Sequence, residues 1–562
     1  MALYEEFVGR NREDFATLED LNRNYTVTAP ENFNFAYDVV DRLAREEPEK
    51  LAMLWVGDDK SERRFTFRDL SLLFNQAANL FRSVGVNKGD RVLVVLRRGY
   101  QFWYTLLGLH KLGAVAIPAT HQLVAKDYIY RCNAAGVVCA VITGDDDATE
   151  HFDEAVSQCE TLKTRLVTKH KMPGCEWLDF DALLEQQPDT FDRVPTQRDE
   201  MSLMFFSSGT TGYPKMVWHS YTYPLGHILT GCFWHAVEEN GLHFTISDTG
   251  WGKALWGKIY GQWLGGSAVF VYDFKRFNAH DILTMIEKYN ITTFCAPPTM
   301  YRYMIKEDLS QYNLSSLHHC TTAGEALNPE VFNQWRKKTG LRIYEGFGQT
   351  ETTLCCWTAY PWMQPRLGSM GLPAPGWRII IADPDGKECP AGVTGEICVR
   401  TDEAGGGKPF GLFGGYYRAE EQTRAAWHDD LYHTGDTAYQ DELGFLWYVG
   451  RVDDVIKSSG YRIGPFEVES AIMEHPAVLE CAVTGVPDPD RGFVVKATIV
   501  LTKGYVGTPE LTKEIQNHVK HATAPYKYPR IVEYVNELPK TISGKIRRVA
   551  IREMDNAKAK AT

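Results

Sequence analysis

The run Ser207-Ser208-Gly209-Thr210-Thr211-Gly212-Tyr213-Pro214-Lys215 packs hydroxyls, glycines and one lysine behind an apolar stretch, Leu203 to Phe206. That composition suits polyphosphate. Glycines let backbone N–H groups crowd around an anion, Ser and Thr hydroxyls add donors, and the ammonium supplies a point charge. The spacing is not the Walker pattern, because Pro214 separates Gly212 from Lys215 and no Ser or Thr follows the lysine. A surface loop can have the same composition, so the meaning of this run depends on the rest of the chain.

Five further blocks follow in order. They are Thr322-Ala323-Gly324-Glu325-Ala326-Leu327, Tyr344-Glu345-Gly346-Phe347-Gly348-Gln349-Thr350-Glu351-Thr352, Tyr432-His433-Thr434-Gly435-Asp436, Gly450-Arg451-Val452-Asp453-Asp454-Val455-Ile456-Lys457 and Pro539-Lys540-Thr541-Ile542-Ser543-Gly544-Lys545. Thr350-Glu351 pairs a hydroxyl that can donate to a phosphate oxygen with a carboxylate that can hold Mg²⁺, a hard cation seeking oxygen. Asp436 can accept two hydroxyl hydrogens, as a ribose requires. A turn aspartate after Gly435 and a helix-starting carboxylate at 351 are the structural alternatives. A cation set between two anionic groups lowers the barrier to joining them. Lys545 can be that cation, or a solvated charge in the run Lys545-Ile546-Arg547-Arg548.

The six ordered blocks together resemble the adenylate-forming superfamily of acyl-CoA synthetases, luciferases and peptide-synthetase adenylation domains. The resemblance covers nearly the whole length after the first ~30 residues. It implies that Ser207, Ser208, Gly209, Thr210, Thr211, Gly212 and Lys215 bind ATP, together with Phe347, Gly348 and Gln349. It also implies that Gly324, Glu325 and Ala326 lie against adenine, and that Asp436, helped by Arg451, binds the ribose. It implies a catalytic set of Lys545, Thr350 and Glu351, with Glu351 holding the metal. Asp453 falls at the family's hinge, about which a small C-terminal domain turns between two half-reactions. One orientation delivers Lys545, and the other presents Ser459, Gly460, Tyr461 and Arg462 to CoA. There Gly460 lets a pantetheine arm run close to the backbone and Arg462 meets a phosphate, although an ordinary turn glycine is the alternative.

The segment Ser247 to Trp256 resembles the acyl-pocket region of medium-chain acyl-CoA synthetases. Acetyl-CoA synthetases carry a tryptophan just before the Gln-Thr-Glu core, where this chain has Gly348. The exchange implies a pocket open to more than acetate. Trp234, Trp251 and Trp256 are the candidates for its apolar lining, with plain core as the alternative. Lys253 would narrow the tunnel or meet a polar substrate group. The implied reaction uses ATP, Mg²⁺ and CoA. A short- to medium-chain acid, branched and aromatic ones included, becomes an acyl-adenylate with release of pyrophosphate, and the CoA thiol then displaces AMP. A ligase loading a carrier protein shares these motifs. So does a regulator that binds nucleotide without chemistry, although Lys545, Glu351 and Lys215 speak against it.

Elements must position these groups. From Arg64 onward, apolar strands alternate with helices: Arg91 to Leu96, a helix from Gln101 to Lys111, Val115 to Ile117, and Val137 to Ile142. The alternation resumes after Ser202 through Ala268 to Tyr272, a helix from Asp281 to Tyr289, and Thr292 to Ala296. The expected class is therefore α/β, with two related α/β subdomains and, between Gly368 and Gly450, a small β subdomain. A small mobile α+β C-terminal domain follows, so the expected division is 1–452 and 453–562.

Composition narrows the partners. A length of 562 residues exceeds one core. The formal charge of -12 disfavours a general nucleic-acid binder, so any anionic ligand must be met by local basic groups. No apolar run reaches the ~18 residues that span a bilayer, and the acidic opening Met1-Ala2-Leu3-Tyr4-Glu5-Glu6 suggests no leader, which makes the cytosol the expected compartment. The 12 cysteines include no C-x-x-C pair, so buried reduced thiols and no structural metal are expected. Association of the chain with further copies is left open.

Overall fold

The computed structural model describes residues 2–169, 176–207, 213–325, 327–402, 407–459, 461–540 and 546–561. Among these residues the strands form three sheets. The first is parallel at its centre, where Val115–Pro118 lies between Arg91–Val95 and Met201–Ser207 and Val137–Thr143 follows outward. Helices cover both faces, so these strands read as unbroken apolar runs rather than as alternation. The helix Phe67–Ser83 starts at a reciprocal cap: the Thr66 hydroxyl accepts the Asp69 N–H and the Asp69 carboxylate accepts the Thr66 N–H. It packs on the buried helix Gln101–Leu112. At Gly108 a methyl group would lie 2.6 Å from the Ala77 Cβ. On its other side the sheet continues into a hairpin, Met201–Ser207 with Lys215–Ser220, in which Ser207 and Lys215 are paired, and Gly415–Tyr416 forms the edge beyond it.

The second sheet repeats the parallel theme through Ala268–Asp273, Leu242–Thr245, Thr293–Cys295, His319–Thr322 and Ile343–Phe347. Beyond Ala268–Asp273 lies Leu51–Gly57, which pairs Met53 with Val269, and Glu62–Thr66 forms the edge. This strand, not singled out from the sequence, pairs on one side with the nearby Glu62–Thr66 and on the other with the distant Ala268–Asp273. At the other edge the sheet turns antiparallel through Cys356–Trp357 and Ser369–Pro373 into Leu446–Arg451, Leu431–Gln440, Gly395–Arg400 and Ile379–Ala382. The expected β subdomain is thus continuous with the second α/β half.

The third sheet uses only strands from Ile456 onward. It has a core of its own around Ile472, Val483, Ile499 and Ile515. It meets the larger body where Phe466 packs edge-to-face on Tyr448 at 6.2 Å and where Gly464 lies against Val449. The described cysteines are all free, and all but Cys389 are buried. Among the described residues no helix is long and apolar enough to cross a membrane.

Candidate active site

The hairpin of the first sheet brings Lys215 beside the strand Gly415–Tyr416, which pairs with it at the sheet's edge. The Lys215 Nζ lies over the Tyr416 ring, 4.6 Å from its centroid. The Tyr416 hydroxyl in turn donates to Glu351 Oε1 at 3.1 Å. Glu351 is buried, and burial raises its pKa while its own backbone N–H, Tyr416, Lys215 and Arg451 pull it back down. Just before it, the Thr350 carbonyl accepts from His219 Nε2 at 2.8 Å. Burial holds the His219 pKa at about 3, so the ring is neutral and carries its proton on Nε2.

Asp436 and Arg451 face each other on neighbouring strands. Asp436 Oδ2 accepts from Gln349 Nε2 at 2.5 Å and Oδ1 from the Tyr448 hydroxyl at 3.0 Å, with Arg451 Nη1 at 3.5 Å. Gln349 also donates to the Thr434 carbonyl at 2.8 Å and accepts from Tyr432 at 2.9 Å, so it ties the 347–352 turn to the aspartate. Burial opposes charge on Arg451, but Asp436, Tyr448, Asp453 and Glu351 raise its pKa. Lys215, Thr350, Glu351, Gln349, Asp436 and Arg451 are therefore joined in one connected region. Three tyrosines that the sequence did not single out, Tyr416, Tyr432 and Tyr448, make the connections. Tyr432 stood inside a recognised block, whereas Tyr416 and Tyr448 carried no local signal.

Gly324, in the left-handed region at φ +98°, places the Ala323 carbonyl under Lys253, whose Nζ donates to it at 2.5 Å. That contact uses the ammonium to fix the turn. Glu325 accepts from the Thr299 hydroxyl at 2.8 Å. Phe347 closes the strand Ile343–Phe347 and packs near Tyr448, centroids 6.4 Å apart.

Gly348 is closely packed: a methyl group there would lie 2.5 Å from the Trp256 ring and collide with the Thr353 carbonyl, so the backbone at residue 348 rests against Trp256. Two residues earlier, the same substitution at Gly346 would meet Trp234 at 2.7 Å. Trp234 and Trp256 stand edge-to-face at 6.4 Å, both buried. The His319 Nε2 donates to the Trp234 carbonyl at 2.8 Å. Trp251 is half-buried at the start of the helix Gly252–Gly257, one residue before it.

Ser459 and Tyr461 are exposed on the small domain, where Tyr461 stacks on Tyr526 at 4.1 Å. Asp453 is exposed near Arg451, at 3.9 Å. Ser208, Gly209, Thr210, Thr211, Gly212, Ala326, Gly460 and Lys545 lie outside the described residues, as does the side chain of Arg462.

One buried carboxyl in this region gives a pH test. Burial pushes the Glu345 pKa from its usual 4.5 up to about 8, with the Leu327 N–H at 3.3 Å pulling it back. The folded state therefore holds this proton more tightly than the unfolded chain does. Its stabilising share is full below pH 4.5 and is lost as pH rises through about 8. Denaturant melts between those limits should show stability falling by up to about 1.4 kcal/mol per pH unit, and Glu345→Gln should flatten that slope. An identical slope in both proteins would assign the titration to another group.

The profile of the AMP-binding enzyme family matches residues 40–417, and that of the AMP-binding enzyme C-terminal domain matches residues 467–545. The chain is 41% identical to the mitochondrial acyl-coenzyme A synthetase ACSM3 of Mus musculus, over 98% of this chain and 96% of that one. It is 43% identical to the mitochondrial ACSM4 of Rattus norvegicus, over 94% and 92%. Those names set a mitochondrial location, for the relatives, against the cytosol expected here. Among solved structures, the anthranilate CoA ligase AuaEII in complex with anthranoyl-AMP superposes with a TM-score of 0.86 at 29% identity, covering 94% of this chain and 99% of that one. A benzoate CoA ligase from Burkholderia xenovorans gives 0.80 at 25%, covering 92% and 100%.

Proposed function

The chain belongs to the AMP-binding enzyme family and is an ATP-dependent acyl-CoA synthetase, and from that premise we propose that it activates short- to medium-chain acids, branched and aromatic ones included, against a wall of Trp234 and Trp256. The observation that carries this reading is the crowding of Trp256 onto Gly348 within the turn that bears Glu351. The edge of an indole, and not the residue before Gln349, then limits the depth of the acid. The anthranilate and benzoate ligases support aromatic acids among the candidates.

In this reading Asp436 takes the ribose hydroxyls, and Gln349 and Tyr448 hold its two oxygens in place beforehand. Lys215 reaches the polyphosphate from beside Tyr416. Glu351, a buried anionic oxygen donor with cations near it, fits Mg²⁺, which when bound would neutralise phosphate charge. Lys545 arrives on the C-terminal domain, divided from the body at 453, to bridge carboxylate and α-phosphate. Rotation about Asp453 then brings Ser459 to Arg462 to CoA while water is kept from the adenylate.

The test is a panel of acids from acetate to decanoate with isobutyrate, 2-methylbutyrate and benzoate, run on the wild type and Trp256→Leu. Trimming the indole should move the optimum in kcat/KM toward longer or bulkier acids by about tenfold. An unchanged ranking in a variant that still binds ATP would remove Trp256 from the acid's wall.

A further inference from the structure

Behind the turn that leads into Asp436, three side chains of different chemistry converge. Glu396 and Cys398 are two apart on the strand Gly395–Arg400, so they share a face. Cys398 is paired directly with His433 on the strand Leu431–Gln440. Between Glu396 and Cys398 the register slips, because the neighbouring strand bulges at Gly435, a left-handed residue at φ +71°. The bulge lets Glu396 Oε1 accept the Gly435 N–H at 2.8 Å and turns Oε2 to His433 Nδ1 at 3.0 Å. The same Nδ1 lies 3.4 Å from Cys398 Sγ. All three atoms fall within 4.8 Å of one another.

An ion pair explains only part of this arrangement. A single proton on Nδ1 can be given to the carboxylate or to the sulfur, but not to both at full strength. A cation in the centre serves all three. With zinc bonds of about 2.0–2.1 Å to nitrogen or oxygen and 2.3 Å to sulfur, tetrahedral ligand atoms stand about 3.3–3.5 Å apart. The two contacts at Nδ1 are close to those edges already. The site is also graded in exposure: Cys398 is fully buried, while the side chains of His433 and Glu396 are 14% and 24% exposed. That gradient leaves an approach for the ion and a fourth position for water.

We propose that Glu396, Cys398 and His433 form a site for a borderline divalent transition metal of the zinc type. Thiolate, imidazole and carboxylate together select such an ion over Mg²⁺ or Ca²⁺. Binding replaces the Cys398 thiol proton, which leaves to solvent, and makes one metal–sulfur bond. Because Glu396 keeps Gly435 with its other oxygen, the ion would also brace the turn that carries Asp436.

Cobalt(II) is the probe, since a cobalt–thiolate bond gives a charge-transfer absorption that a carboxylate or imidazole complex lacks. Titration of the metal-free full chain should saturate near one equivalent, and zinc should displace the band. Cys398→Ser should abolish the band while AMP binding persists, and His433→Gln should weaken cobalt binding at least about tenfold. Should Cys398→Ser not fold, His433→Gln and Glu396→Gln read the same loss. Absence of the band in the wild type, or its survival in Cys398→Ser, would overturn the proposal.

Discussion

Lys545→Ala should lower acyl-adenylate formation by at least about 10²–10³-fold, the scale of a lost transition-state charge contact, and leave thioester formation from supplied acyl-adenylate within a few-fold. The asymmetry follows from where charge collides. In the first half-reaction two anions meet, and a bridging ammonium removes repulsion that water cannot reach. In the second, the thiol attacks the acyl carbon and the broken C–O bond leaves its electron pair on the AMP oxygen, so no carboxylate anion has to be brought onto a phosphate. The described residues on either side of position 545 are anchored. Lys540 and Ile546 pair across it, Lys540 is held by Glu480 at 2.8 Å, and Arg548 forks onto Glu469 at 2.7 and 2.8 Å. Arg548 and Arg552 also engage Asp454, one residue beyond the expected hinge. These anchors belong to the small domain and remain when the lysine is cut back. Pyrophosphate release and CoA-thioester formation, measured separately, check the claim. Equal loss of both would make Lys545 a structural residue.

The parallel strands were legible because a strand buried on both faces must be apolar throughout: Arg91–Val95, Val137–Thr143 and Ala268–Asp273 fall within a residue or so of expectation. Leu51–Gly57 was not picked out, because the alternation of strand and helix was read only from Arg64 onward, and its place in the sheet depends on pairing with Val269 far along the chain. The same divide runs through the site. Asp436, Glu351 and Lys215 could be read as groups because each sits in a block with its own spacing. Tyr416 and Tyr448, which fix Glu351 and Asp436, are isolated aromatics whose role appears only when two strands meet. At Gly348 the missing side chain was legible but its neighbour was not, because the close packing of Trp256 against that glycine depends on the fold. The grouping of Glu396, Cys398 and His433 escaped for a related reason: ligands brought together by cross-strand pairing and a bulge leave no short-loop signature.

Glu351→Gln is the second change with a large expected effect, because it removes charge while keeping shape. The Tyr416 hydroxyl can still donate to the amide oxygen, so the packing beside Lys215 is retained. Burial already penalises the carboxylate, as its raised pKa records, so the neutral amide should leave the melting temperature unchanged or higher. Activity should move the opposite way. An amide is a poor ligand for a hard divalent cation, so adenylation should fall by about 10²-fold or more at ordinary Mg²⁺, with the Mg²⁺ concentration for half-maximal rate shifted upward. Tyr416→Phe is the matched comparison: it removes a neutral hydrogen bond and keeps the charge, which should cost far less rate at saturating Mg²⁺. A group retained at the expense of stability is one held for function, and the opposite signs of the two effects in Glu351→Gln distinguish that case from simple misfolding. Wild-type adenylation and an unmoved Mg²⁺ dependence in Glu351→Gln would reduce Glu351 to a packing partner of Tyr416.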